Sequence, residues 1–186
     1  MELPIYYLPP ISWFSQYFST GTPLLVIDEP YKKQSYRNHC IIDSPQGPLK
    51  LTIPVSYPQE CTNRHALIKD IRISEHGDWR HKHWHALETS YYNSPYFEYL
   101  QDDFKPLYEQ KFEYLADFNI KLTETCLNLL GASTLTRQQI EQVIKSHETV
   151  QKKTYPQVFA QKHGFIPDLS IVDLIFNMGN EAIFYL

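Results

Sequence analysis

Glycine is scarce in this chain, with only 6 among 186 residues, and neither GxGxxG nor GxxxxGK followed by Ser or Thr occurs. Rossmann-type dinucleotide sites and P-loops need glycine so that backbone N–H groups can approach a phosphate, so both are excluded. The GxSxG turn of a lipase-like nucleophile is also missing. Cysteine is limited to Cys40, Cys61 and Cys126, an odd number with no CxxC spacing. Neither a disulfide frame nor a structural zinc is expected, and reduced thiols point to the cytoplasm. No apolar run reaches the roughly 18 residues of a membrane span. The opening Met1-Glu2-Leu3-Pro4 lacks the basic and apolar regions of a signal peptide. A net charge of −4 offers no concentrated basic surface, so nucleic acid is not the expected partner.

What is present suits a folded domain. Apolar residues make up 42% of the chain, enough for a core, and 186 residues fit a single domain spanning 1–186. Aromatic residues are abundant, with 14 tyrosines against 3 tryptophans. A tyrosine joins an apolar ring to a hydroxyl, which suits wet clefts as well as the edge of a core.

Residues 5–8 read as a short strand stopped by Pro9-Pro10, which cannot donate to a ladder. Ile11, Phe14, Tyr17 and Phe18 form one helical face. The apolar run 24–27, closed by Asp28, predicts a buried strand. Residues 36–42 and 49–55 form the arms of a hairpin around the turn-rich 43–48, and 68–73 predicts a further strand. From Trp79 the pattern turns helical, with one helix over 79–92 and a long amphipathic one over 105–130. Thr136 with Gln139 forms a capping box ahead of Ile140, Val143 and Ile144, and Ser170 with Asp173 opens a last helix over 171–178. Strands lie early and helices late, which predicts an α+β fold: a small mixed sheet packed against a mostly helical C-terminal half.

Four stretches could carry chemistry. His81, His83 and His85 alternate on one helix, where His81 and His85 make an i, i+4 pair without the Glu of HExxH. A solvated face explains that pair better than a metal, and no metal or cofactor is expected. His83 falls on the arc of Trp79, Leu87, Ser90 and Tyr91, either as a satisfied core residue or as a base in a low-dielectric cleft. The segment 31–39 packs three cations, an amide and two tyrosines. It is either a basic surface hairpin or a site for phosphate, carboxylate and a sugar face. The remaining stretches, 91–97 and 163–170, are explained by helix-stop, turn and capping chemistry. Cys40 paired with a distant His83 is an open alternative without a local signature.

Taken in order, several stretches resemble the WbqC-like family. They are Tyr7-Leu8-Pro9-Pro10-Ile11 with Trp13-Phe14, the segment 31–38, the run 47–55, His83-Trp84 with Ala86-Leu87-Glu88, residues 91–98, and the tail 163–179. His39 departs from the arginine expected after Arg37-Asn38. The resemblance implies a place in O-antigen and other surface-polysaccharide biosynthesis, and transfer of a glycine-type or other acyl group to an amino sugar. On that reading His83 is the base, and Arg37, Lys33 and Asn38 contact diphosphate or an oxyanion. Asp28 orients a cation or hydroxyl, and Tyr31, Tyr36 and Trp13 form the sugar platform. A sugar nucleotide is the expected partner, and self-association is left open. The alternative is a non-catalytic sugar-nucleotide-binding or scaffolding protein in which His83 is packed into the core.

Overall fold

The computed structural model of the chain describes residues 2–21, 23–58, 66–132 and 154–186. The capping box at Thr136 and Gln139 and the residue Cys61 lie outside them. The architecture is α+β, with strands in the N-terminal part and helices dominating from Trp79 onward. The strands form three two-stranded ladders, one parallel and two antiparallel.

The first ladder joins β1 (Glu2–Pro4) to β2 (Leu24–Val26) in parallel, with α1 (Ile11–Thr20) as the crossover between them. The first strand therefore lies earlier than the predicted 5–8. The second is not buried, since Leu24 is 67% exposed. The hairpin forms as expected, β3 (His39–Ile42) pairing antiparallel with β4 (Leu49–Thr52). β5 (Val55–Ser56) pairs with β6 (Arg72–Ile73), and the predicted strand over 68–73 begins instead as a 3-10 turn at Ile68–Asp70.

α2 spans Trp79–Tyr91, one residue short of the expected end. The long helix predicted over 105–130 is two helices, α3 (Phe97–Glu109) and α4 (Leu115–Leu129). Tertiary pairing overrides the continuous apolar stripe between them. Residues 110–114 leave the helical path to bridge the sheet: the Ile73 N–H donates to the Glu113 carbonyl, and the Leu115 N–H to that of Ile71, each at 2.9 Å. A short α5 (Ala160–His163) precedes α6 (Ile171–Met178), and a 3-10 turn, Gly179–Tyr185, ends the chain.

Every residue of α6 is buried. Phe176 makes it the hub of an aromatic core, with the rings of Tyr91, Phe97 and Phe104 at 5.3, 5.1 and 5.4 Å. The buried apolar residues join in one cluster that runs from Leu3 to Ile183. No described helix is long and apolar enough to cross a membrane.

Candidate functional site

α2 begins at Trp79, and one turn later it turns His83 inward, to 5% exposure. The imidazole sits edge-on to the Trp79 ring at 5.1 Å and stacks on Tyr7 at 5.7 Å. Its Nδ1 lies 2.9 Å from the Tyr7 hydroxyl, which is itself 2.9 Å from the Tyr108 hydroxyl. A backbone hydrogen bond at Thr52 supplies the ring's second polar neighbour. With a proton on Nε2 for the Thr52 carbonyl, Nδ1 is left to accept from Tyr7. Burial holds the imidazole down at about 4, so it is neutral at pH 7. Burial also raises both phenols well above their ordinary range. The result is a neutral hydrogen-bond chain, His83–Tyr7–Tyr108, in which every donor can point inward.

Its last member also borders a cleft. Tyr108 lines a hollow of about 520 Å³ between α2 and α3, bounded also by Trp79, Arg80, Trp84, Lys105 and Lys111. The volume falls in the range of small-molecule sites. His83 itself does not line this cleft and is linked through Tyr7 to Tyr108, which does.

Arg37 occupies a second neighbourhood. Its Nε and Nη2 donate to Glu29 Oε1 at 3.0 and 2.6 Å, and its guanidinium lies 5.7 Å from the Tyr6 ring. Tyr6 packs on Tyr36 at 5.8 Å. Arg37 is 4% exposed and its carbonyl accepts a hydrogen bond of 2.8 Å from the Asn119 amide. Three buried polar atoms near it lack hydrogen-bond partners among the described residues: Tyr31 Oη, Asn38 Oδ1 and Asn119 Oδ1. Among the described residues, the side-chain partners of Arg37 and His83 do not overlap. Arg37 belongs to the Tyr6 side of the N-terminal segment and His83 to the Tyr7 side.

The other residues singled out in the sequence disperse. Asn38 donates its amide to the Ile53 carbonyl at 3.1 Å. Tyr31 is buried edge-on to Tyr57 at 5.8 Å. Tyr36 is half-buried beside His39. Lys33 is exposed, and Asp28 is an exposed carboxylate paired with Lys69. Trp13 is 4% exposed, donates its indole N–H to the Pro4 carbonyl at 2.9 Å and stacks on Tyr17 at 5.6 Å. Cys40 is fully buried and its thiol is pushed far up by burial, which removes the basis for a thiolate nucleophile. His81 and His85 are exposed, with ring centroids 6.2 Å apart. Among the described residues no group of three His, Cys, Asp or Glu is placed to hold a metal ion.

Sequence reasoning missed two features. Tyr7 and Tyr108 scored only as apolar positions, because nothing local marks a hydroxyl that bonds across 101 residues of chain. The other is a carboxylate network beneath the tail. Asp173, wholly buried at the first turn of α6, accepts from Tyr155 at 2.6 Å and Gln157 at 3.0 Å. Burial pushes its carboxyl up to about 6 against the pull of those donors. Beside it Asp43, also wholly buried, meets His163 Nε2 at 3.2 Å. The stretch 163–170, read as turn and cap, is thus pinned by ionisable side chains.

One comparison with known proteins identifies a family. The pattern of the WbqC-like protein family matches residues 5–150 and 135–185. The uncharacterized protein Rv1507c of Mycobacterium tuberculosis (strain ATCC 25618 / H37Rv) is 26% identical over 220 residues, covering 97% of this chain and 94% of that one. No solved structure matches the chain.

Proposed function

The chain belongs to the WbqC-like protein family, and from that premise we propose that it is an acyl or aminoacyl transferase acting on an amino sugar in surface-polysaccharide biosynthesis. The observation that carries the reading is the hydrogen-bond chain from His83 Nδ1 through Tyr7 to Tyr108, whose far end borders a cleft of about 520 Å³.

The chemistry is amide formation. The sugar amine attacks an activated acyl carbon, the N–C bond forms, and the bond from that carbon to its leaving group breaks. One proton must leave the nitrogen. Tyr108 can accept it as its own proton passes to Tyr7 and that of Tyr7 passes to His83, and the reverse shift returns a proton to the leaving group. Because the imidazole is held at about 4, an imidazolium would form only transiently. That suits a relay that carries a proton without retaining it. Arg37 is already engaged by Glu29, so its part in this reading is to hold the segment that includes Tyr36 and Asn38.

A second reading is favoured by the same burial of His83: a non-catalytic binding protein in which the imidazole only satisfies Tyr7. Wild-type protein, Tyr108→Phe and His83→Asn, incubated with acyl thioesters or aminoacyl donors and nucleotide-linked amino sugars, separate the two by mass spectrometry of the sugar. The transferase reading expects an acylated sugar from the wild type and at least a 100-fold slower appearance with either variant. Equal rates in all three would remove the relay from the reaction. Binding of the sugar nucleotide without any product would leave the second reading.

A further inference from the structure

The tail that leads into α6 is fastened by polar contacts more than by an apolar face. Between Pro156 and Asp168 only Gln157 is buried. The Ser170 N–H donates to the Ile41 carbonyl at 2.8 Å, the Ile171 N–H to that of Pro9 at 2.9 Å, and Lys162 Nζ to that of Pro45. Ile11 returns a bond to the Leu169 carbonyl at 3.0 Å, and the Ser12 N–H and hydroxyl both donate to Asp168. The tail therefore braces residues 9–12, just beyond Tyr7.

Under the tail lie two wholly buried carboxylates from separate elements, Asp43 after β3 and Asp173 in α6. Among the described residues the one basic side chain paired with either is His163, 3.2 Å from Asp43 Oδ1. Tyr155 and Gln157 of the tail donate to Asp173 Oδ2 at 2.6 and 3.0 Å. From α2 the Tyr91 hydroxyl lies beside Asp173 and accepts the Asp43 N–H at 3.2 Å. Asp43 Oδ2 and Asp173 Oδ1 have no donor among the described residues. Ionising both acids thus puts two negative charges into one interior cluster in which a single imidazole can offset them. Burial holds the proton on Asp173 up to about 6, and the charge of Asp43 pushes the same way.

We propose that Asp43, Asp173 and His163 form a pH-sensitive clamp, which holds the tail down in mild acid and loosens it once Asp173 gives up its proton. Lifting the tail hands the Asp173 carboxyl to water, where it returns to its ordinary 3.8. The closed state therefore binds the proton more tightly than the open one, and closure is favoured fully below 3.8 and least above about 6. Between those limits the opening equilibrium rises by up to 10-fold per pH unit, roughly 100-fold in all, and above them it is level. His83 changes charge in the same interval with the opposite sign, but it stays packed against Tyr7 and Trp79 when only the tail opens. The clamp thus acts locally while the global stability changes little.

The inference stands without the transferase reading, because it concerns the tail alone. Amide hydrogen exchange of the whole chain between pH 4 and pH 7, corrected for the intrinsic rate at each pH, tests it. The Ile166, Ser170 and Ile171 amides, which bond to Gln157, Ile41 and Pro9, should lose protection by roughly 100-fold at most across the range. Amides within α4 should change far less. Asp173→Asn, which carries no ionisable proton, should remove the pH dependence of the tail amides, and His83→Asn should keep it. A failed relay and a failed clamp then give different results. The wild type supplies a check that needs no variant: its infrared spectrum should show a carboxylic acid band that disappears as pH rises through about 6. Tail protection that is independent of pH, an equal loss across α4, a dependence that survives in Asp173→Asn, or the absence of that band would overturn the assignment.

Discussion

The buried Tyr7 hydroxyl stands 2.9 Å from Nδ1 of His83, joining residues 76 apart in sequence. It is also the acceptor within reach of Tyr108, at 2.9 Å. Removing the middle member of such a chain strands both ends. Tyr7→Phe should therefore destabilise by about 1–3 kcal/mol, the cost of leaving buried polar groups unsatisfied. Tyr108→Phe removes only the terminal hydroxyl and should cost about 1 kcal/mol. Urea unfolding of the two variants checks the order, and equal losses would mean that the chain is not continuous.

Two buried ionisable groups, His83 and Asp173, pull stability opposite ways with pH. His83 is held at about 4 against an ordinary 6.5, so the unfolded chain takes up its proton first and stability falls as pH drops through that interval. Asp173 is raised from 3.8 to about 6, so the folded state keeps the proton longer. Its contribution is full below 3.8 and is lost as pH rises through about 6. Each swing is on the order of 3 kcal/mol, so the two largely cancel in the wild type. Urea titrations at pH 7 and pH 4 should separate them. The deficit of His83→Asn relative to wild type should shrink on acidification, while that of Asp173→Asn should grow. Parallel behaviour of the two variants would refute these assignments.

How much of this was legible from sequence follows the range of each interaction. The hairpin over 39–52, α1, α2 and α6 were readable because alternation, helical spacing and capping residues are local signals. The single helix predicted over 105–130 was not, because its break is imposed by Ile71 and Ile73, some 40 residues upstream, which take the backbone of 113–115 into their own pairing. His83 was legible as an inward histidine on the Trp79–Leu87 face. Its partners were not, since Tyr7 and Tyr108 look like any other core-edge tyrosine until the chain is folded.

Gly179 follows α6 at φ +55°, and a Cβ there would fall 2.5 Å from the Tyr96 ring. Both the backbone and the space demand glycine at this turn. Gly179→Ala should cost about 2 kcal/mol or more, combining left-handed strain with overpacking. Adding Tyr96→Ala should recover the overpacking part only, which makes the pair non-additive in a double-mutant cycle. Strict additivity would place the whole cost in the backbone.

The tail is held to the hairpin by His163 and Asp43, 3.2 Å apart, with the carboxylate wholly buried and the imidazole side chain 21% exposed. Burial raises the Asp43 carboxyl, and His163 is the neighbour that pulls it back down. His163→Ala removes that neighbour and leaves an acid in the interior with the Ser44 N–H as its remaining donor. Stability at pH 7 should fall by about 1–3 kcal/mol, less than for a fully buried pair because water reaches the imidazole. Asp43→Asn in the same background should restore part of the loss, since a neutral amide has no charge to leave unpaired. The local consequence is sharper than the global one. The residues 154–170 contribute few apolar side chains to the core, so His163→Ala should make Lys162 a preferred tryptic site while α6 stays protected. Cleavage no faster than in the wild type would mean that Tyr155 and Gln157, through Asp173, hold the tail without help from this pair.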